Sequence, residues 1–252
     1  LRKDIRRIHF IDEVRGFDII LMVFFHMFYT AGYIFGLEWG KILFWFFQPV
    51  EPFFAGIFIF ICGISCRLSR NNLKRGGILL AIALLLTLGL WIFMRDEIVT
   101  FGILHFLAVA ILLFALLRPA LDRVPPIAGI VACAVLMLFT WWVPYYNGSI
   151  IGIKGVLSWE IPVQFKKWWL FPLGLGYLPS SDYFPLIPWI FCFLAGSFAG
   201  VWAARGQFPE WMYRQRAPFL SFVGRHTLLI YIIHQPVIFA FLYIILMILR
   251  IF

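Results

Sequence analysis

Seven times along its length the sequence offers an apolar run long enough to cross a bilayer, at about residues 17–35, 46–66, 76–94, 101–117, 126–144, 184–204 and 226–249. A spanning helix needs about 20 mostly apolar residues, because the hydrocarbon core is roughly 30 Å thick. Within that core the backbone has to satisfy its own hydrogen bonds, which favours helices over any open chain. Composition agrees: 63% of the residues are hydrophobic and 13% charged, where an ordinary soluble domain has about 45–50% and about 25%. The expected fold is therefore all-α, a polytopic membrane helix bundle of about seven transmembrane helices, with residues 1–252 forming one domain. A soluble enzyme, a disordered chain and a nucleic-acid-binding module are excluded on the same grounds.

The net charge of +9 reads as loop bias in such a chain, since cytoplasmic loops of membrane proteins are enriched in Lys and Arg. With the N-terminus in the cytoplasm, that side carries fifteen basic residues: Arg2, Lys3, Arg6, Arg7, Arg15, Arg67, Arg70, Lys74, Arg75, Arg118, Arg123, Arg205, Arg214, Arg216 and Arg225. The other side carries six, Lys41, Arg95, Lys154, Lys166, Lys167 and Arg250. The expected placement is a multi-pass protein of the cell membrane with a cytoplasmic N-terminus. No cleavable signal peptide is expected, because the first apolar run is too long and lacks a small-residue cleavage site.

One long connection, residues 145–183, falls on the outer side. It sets Trp159, Trp168, Trp169 and Phe171 beside Lys166 and Lys167, a composition suited to the headgroup region, so an interfacial or re-entrant segment is expected near 150–180. Asn147-Gly148-Ser149 is a glycosylation sequon. The cysteines Cys62, Cys66, Cys133 and Cys192 all lie in apolar runs and complete no metal-ligand spacing, so they read as core thiols and no metal is expected. Nucleotide-binding, hydrolase and zinc-protease motifs are absent from the sequence.

An ionisable side chain inside a span is costly and asks for a reason. His26, His105 and His234 fall within spans, and three histidines in seven helices point to a shared polar cavity. His26 follows Arg15 by eleven residues. On a helix that spacing leaves the two about 20° apart in rotation and about 16 Å apart in depth. One face then carries a cation at the cytoplasmic mouth and a base near mid-membrane, which suits a long anionic ligand. The alternative is an Arg that snorkels to lipid phosphate beside an unrelated buried His. Asp12 and Asp18 flank Arg15 at three residues on either side and can pair with it. Glu51, between Pro49 and Pro52, is either a substrate contact or a solvated rim carboxylate. Asp182 is either a helix N-cap or an outer substrate contact. His234 precedes Gln235-Pro236, where the proline should kink the helix and free a carbonyl.

Several of these stretches resemble a known family. Ile11-Asp12-Glu13-Val14-Arg15-Gly16, followed after ten residues from Arg15 by His26, is similar to the opening motif of transmembrane acyltransferases. Phe58-Ile59-Phe60-Ile61-Cys62-Gly63-Ile64-Ser65 resembles their second helix. Gly224-Arg225-His226-Thr227-Leu228-Leu229-Ile230-Tyr231, continued by Ile232-Ile233-His234-Gln235-Pro236, resembles their C-terminal signature. Phe101-Gly102-Ile103-Leu104-His105 and Ser181-Asp182-Tyr183-Phe184-Pro185 fit the same pattern. Together they resemble the bacterial branch of the heparan-alpha-glucosaminide N-acetyltransferase catalytic-domain family, nearly end to end.

The resemblance implies transfer of an acetyl or other short acyl group from cytoplasmic acyl-CoA to an amine or hydroxyl of a sugar-like acceptor across the membrane. Arg15 would hold the CoA phosphates, with Arg67 and Arg225 among the further cofactor contacts. His26 would act as general base or carry the acyl group. Some family members use a histidine in the loop after the first span, but residues 27–104 contain none. The chemistry is therefore expected from His26, His105 or His234, with Glu51 and Asp182 facing the acceptor. The expected partners are acyl-CoA, the acceptor and the lipid bilayer, with a homodimer left open. The rival reading is a proton-coupled transporter with a buried histidine relay.

Overall fold

The computed structural model describes residues 6–144, 150–153, 156–176, 178 and 180–249. Its main elements are α1 (His9–Tyr29), α2 (Glu38–Phe47), α3 (Glu51–Leu68), α4 (Asn72–Phe93), α5 (Ile103–Leu121), α6 (Pro126–Thr140), strands β1 (Ile150–Ile153) and β2 (Leu157–Glu160), α7 (Leu186–Ala204), α8 (Pro218–Arg225) and α9 (Thr227–Ile248). The sequon and Arg2, Lys3, Lys154 and Arg250 lie outside the described residues.

Among the described residues six helices are long and apolar enough to cross a membrane: α1 with the π-helical turn that extends it to Ile34, then α3, α4, α5, α7 and α9. The fold is thus an all-α polytopic membrane bundle. The seventh expected span, 126–144, is a shorter apolar helix, α6, of 15 residues. It stops at Thr140 because Pro144 follows closely and disfavours helix in the residue before it. The expected run at 46–66 starts later, as α3 at Glu51, and a helix not expected from the sequence, α2, precedes it. Pro49 has no N–H to continue a helix, so α2 ends at Phe47 and a turn over 48–50 intervenes. Apolar surface faces outward throughout, as a lipid solvent allows. On α4, Leu84, Leu85, Leu88 and Trp91 are exposed and Phe93 is 84% exposed.

Two compact units make up the chain. The first comprises Leu1–Phe58 and Phe208–Phe252, the second Ile59–Gln207.

In the first unit α1 crosses α8 at backbone contact. A Cβ at Gly16 would overlap the carbonyl of Leu220, and one at Gly224 would overlap that of Asp12. Glu13 adds a polar lock. Its Oε1 accepts from the backbone N–H of Arg216 (2.7 Å) and Ala217 (2.9 Å), which lead into α8. α9 lies along α1 through a stripe spaced by four, His234, Ile238, Leu242 and Leu246, which forms its buried face. Ile238 and Leu242 pack with Ala31, flanked by Val23 and Met27. At Gly36 the backbone turns through φ +71°, a conformation glycine takes without penalty. Phe44 of α2 then lies 4.9 Å from Phe25 and 5.7 Å from Tyr29, ring to ring.

In the second unit α3 and α7 meet through facing glycines, since a Cβ at Gly63 would overlap the carbonyl of Phe193 and one at Gly196 that of Phe60. Asn71 caps α4 by accepting from the Lys74 N–H at 2.9 Å. The stretch expected as an interfacial or re-entrant segment contains an antiparallel hairpin, with Ile150 opposite Glu160 and Ile153 opposite Leu157. Four-residue strands are too short to announce themselves by alternation. Short 3-10 turns follow, and Trp159, Trp168 and Trp169 are all more than half exposed. The Tyr183 hydroxyl fastens the second of these turns by donating to the Phe171 carbonyl at 2.6 Å. Burial pushes this phenol up to about 12, so it remains a donor across the physiological range.

Candidate active site

The polar centre of the first unit sits on the α1–α9 seam. His26 stands on α1 and His234 on α9, with ring centroids 4.9 Å apart and planes tilted by 58°. Between α1 and α9 runs a chain of hydrogen bonds. The Thr30 hydroxyl donates to Gln235 Oε1 at 3.1 Å, and Gln235 Nε2 donates to His26 Nδ1 at 3.1 Å. Thr30 is fully buried and opens the π-helical turn at the end of α1, an irregularity often found at functional sites. On the other ring, His234 Nδ1 lies 2.6 Å from the Tyr231 carbonyl. A carbonyl only accepts, so this nitrogen carries the proton. His234 Nε2 is then a lone pair, buried and without a hydrogen-bond partner among the described residues. Pro236 falls inside an unbroken α9.

Arg15 lies on the same helix, eleven residues before His26, and the unbroken α1 keeps them on one face. Its guanidinium is 3.7 Å from Asp12, which is also held by Arg7 at 2.7 Å. Asp18 is buried, and neither carboxylate oxygen has a hydrogen-bond partner among the described residues. Arg225 ends α8, exposed, with Nε donating to the Ser221 carbonyl at 3.2 Å. Glu51 is the first residue of α3, where its charge favours the helix N-terminus.

The remaining expected site residues belong to the second unit. His105 is buried on α5, its Nε2 3.1 Å from the Thr87 hydroxyl. That hydroxyl gives its one proton to the Val99 carbonyl at 2.6 Å, so His105 is the donor and its Nδ1 is left as a buried lone pair. Arg67 is 5% exposed. It pairs with Asp122 at the end of α5, donates from Nε to the Ser197 carbonyl of α7 at 2.9 Å, and lies 5.0 Å over the Phe114 ring. Arg67 thus links three helices from the interior.

Asp182 is a cap, though for a different helix than its sequence position suggests. Its Oδ2 accepts from the N–H of Ile103, the first residue of α5, at 3.1 Å. Asp182→Ala is expected to cost about 0.5–2 kcal/mol, read as a lower midpoint of thermal unfolding in detergent, with Asp182→Asn recovering most of the loss.

Chemically, the seam offers a buried lone pair and a nearby N–H donor. Four contributors had no role assigned from the sequence: Thr30, Gln235, Thr87 and Glu13. Thr30 was within reach, one helical turn beyond His26 on the same face. Gln235 was visible as a polar neighbour of His234. Glu13 and Thr87 find their partners only in three dimensions.

The family model described as Heparan-alpha-glucosaminide N-acetyltransferase, catalytic, matches residues 7–236, a stretch that includes both histidines of the seam. No curated protein and no solved structure gives a significant match to the chain.

Proposed function

The chain belongs to the heparan-alpha-glucosaminide N-acetyltransferase catalytic family, and on that premise we propose that it transfers an acetyl group from acetyl-CoA to an amine or hydroxyl of a sugar-like acceptor at the His26–His234 pair. Family and helices together make it a multi-pass membrane acyltransferase. The observation that carries the finer reading is the pair itself: two imidazoles 4.9 Å apart on spanning helices, one with an unpartnered lone pair. Histidine suits the task because its ordinary pKa lies near neutrality.

Arg15 and Arg225 are assigned to the anionic end of the donor. Arg15 supports this by sharing a helix face with His26 at a depth difference of about 16 Å. Glu51 is assigned to the acceptor. With α6 counted as a seventh crossing, the fifteen-to-six division of basic residues supports a cytoplasmic N-terminus in the cell membrane, hence donor from the cytoplasm and acceptor from the other side.

The test is thiol release from acetyl-CoA by detergent-purified protein, with and without a panel of amino sugars. It is repeated in proteoliposomes with acetyl-CoA on one side and glucosamine on the other. Acceptor-dependent release in detergent, and acetylated sugar in the opposite compartment, are the expected results. Protein that neither binds nor consumes acetyl-CoA would sink the reading and turn attention to proton-coupled transport through the same histidines.

A further inference from the structure

We propose that the two histidines divide the work, His234 Nε2 taking the acceptor's proton while His26 Nε2–H hydrogen-bonds the thioester carbonyl, with Gln235 as the positioning residue that sets this division. The inference rests on the transferase reading above. It follows from which atoms can donate. The Thr30 hydroxyl gives its proton to Gln235 Oε1, which turns the amide nitrogen towards His26 Nδ1. An amide nitrogen only donates. His26 Nδ1 is therefore the acceptor, and the proton of the neutral ring sits on Nε2. On His234 the Tyr231 carbonyl fixes the opposite tautomer, leaving Nε2 bare and unpartnered. The pair thus presents one N–H and one lone pair.

The step balances without a further reactant. The acceptor's nitrogen or oxygen attacks the thioester carbonyl carbon as its proton passes to His234 Nε2. Negative charge gathering on the carbonyl oxygen is met by His26 Nε2–H, a neutral imidazole acting as a hydrogen-bond donor, as in triosephosphate isomerase. The carbon–sulfur bond then breaks, and the imidazolium of His234 returns the proton to the CoA sulfur. His26 keeps its proton throughout.

Turning the Gln235 amide over would reverse the arrangement, since its oxygen would then accept from His26 Nδ1–H and leave His26 Nε2 bare. Gln235→Glu imposes that reversal, because a carboxylate only accepts. The experiment combines two readouts on full-length protein in nanodiscs. Ring-nitrogen NMR of histidine-labelled protein, assigned with His26→Ala and His234→Ala, reports each tautomer. Thiol release from acetyl-CoA with glucosamine reports turnover.

In wild type, His26 is expected protonated on Nε2 and His234 on Nδ1. In Gln235→Glu, His26 is expected to switch to Nδ1–H, with kcat lowered by about 10²-fold or more, as a wrong catalytic tautomer does elsewhere, and KM for acetyl-CoA within about twofold. Gln235→Leu, which neither donates nor accepts, serves as a second variant if the glutamate form does not fold, and is expected to lose the single tautomer together with turnover. A wild-type His26 protonated on Nδ1, or a switched tautomer with full turnover, would overturn the proposal. The expected tautomers in a wild type that consumes no acetyl-CoA would instead bring down the transferase reading, and the catalytic roles with it.

Discussion

Alanine at His26 is expected to lower acetyl transfer by about 10²–10³-fold, the usual effect of deleting one donor to a developing oxyanion. Alanine at His234 is expected to lower it by about 10²–10⁴-fold, the range for a positioned base. The informative variant is the double one. Groups that act as a unit are strongly non-additive, because once one is gone the other has nothing left to assist. His26→Ala/His234→Ala should therefore lose no more than the worse single variant. Thiol release from acetyl-CoA in the three proteins, each checked for a monodisperse size-exclusion profile, decides the matter. Losses that multiply would mean that the rings act independently and that their 4.9 Å approach is incidental to the chemistry.

The second large effect concerns the fold. Gly16 and Gly224 hold α1 and α8 at backbone contact, and a methyl group at either meets a carbonyl that cannot step aside. Gly16→Ala is expected to cost about 1–3 kcal/mol, as overpacking generally does, and Gly16→Leu to abolish the monodisperse peak. Gly77 and Gly89 on α4 supply the control, because a Cβ there meets nothing within 4 Å. Alanine at those positions is expected to be neutral or slightly stabilising, since it helps the helix without crowding it. Thermal unfolding in detergent measures both signs. Equal effects at Gly16 and Gly77 would show that helix propensity, not the crossing, governs these sites.

The long helices were legible because a bilayer imposes a blunt rule: α4, α5, α7 and α9 follow from apolar length alone. Irregular backbone was not. The break at 48–50 and the short α6 depend on single prolines whose effect is local, and β1 and β2 are too short to show a period. At the site, the Arg15–His26 face was readable because both residues share one helix. A polar site shared with His234 was expected, but its pairing with His26 in particular was not readable, since that requires α9 to lie along α1 and no spacing within either segment encodes that contact. Arg67 shows the same limit, because its carboxylate partner, Asp122, lies 55 residues away at the end of another helix. Asp182 was readable as a cap, but the helix it serves begins 79 residues earlier.

The Glu13 lock has a bearing on how the chain is made. Its acceptor oxygen is satisfied by amides 203 and 204 residues downstream, and the Thr30–Gln235–His26 chain closes over separations of 205 and 209 residues. On the ribosome, α1 emerges before the other five long helices, is the least apolar of the six with a mean hydropathy of 1.5, and must wait for residues 216–235 before its carboxylate and its histidine find their partners. During that interval it is the element most in need of a holding factor or of early neighbours such as α2. Translation arrested before residue 216 would leave a helix that is inserted but unfinished.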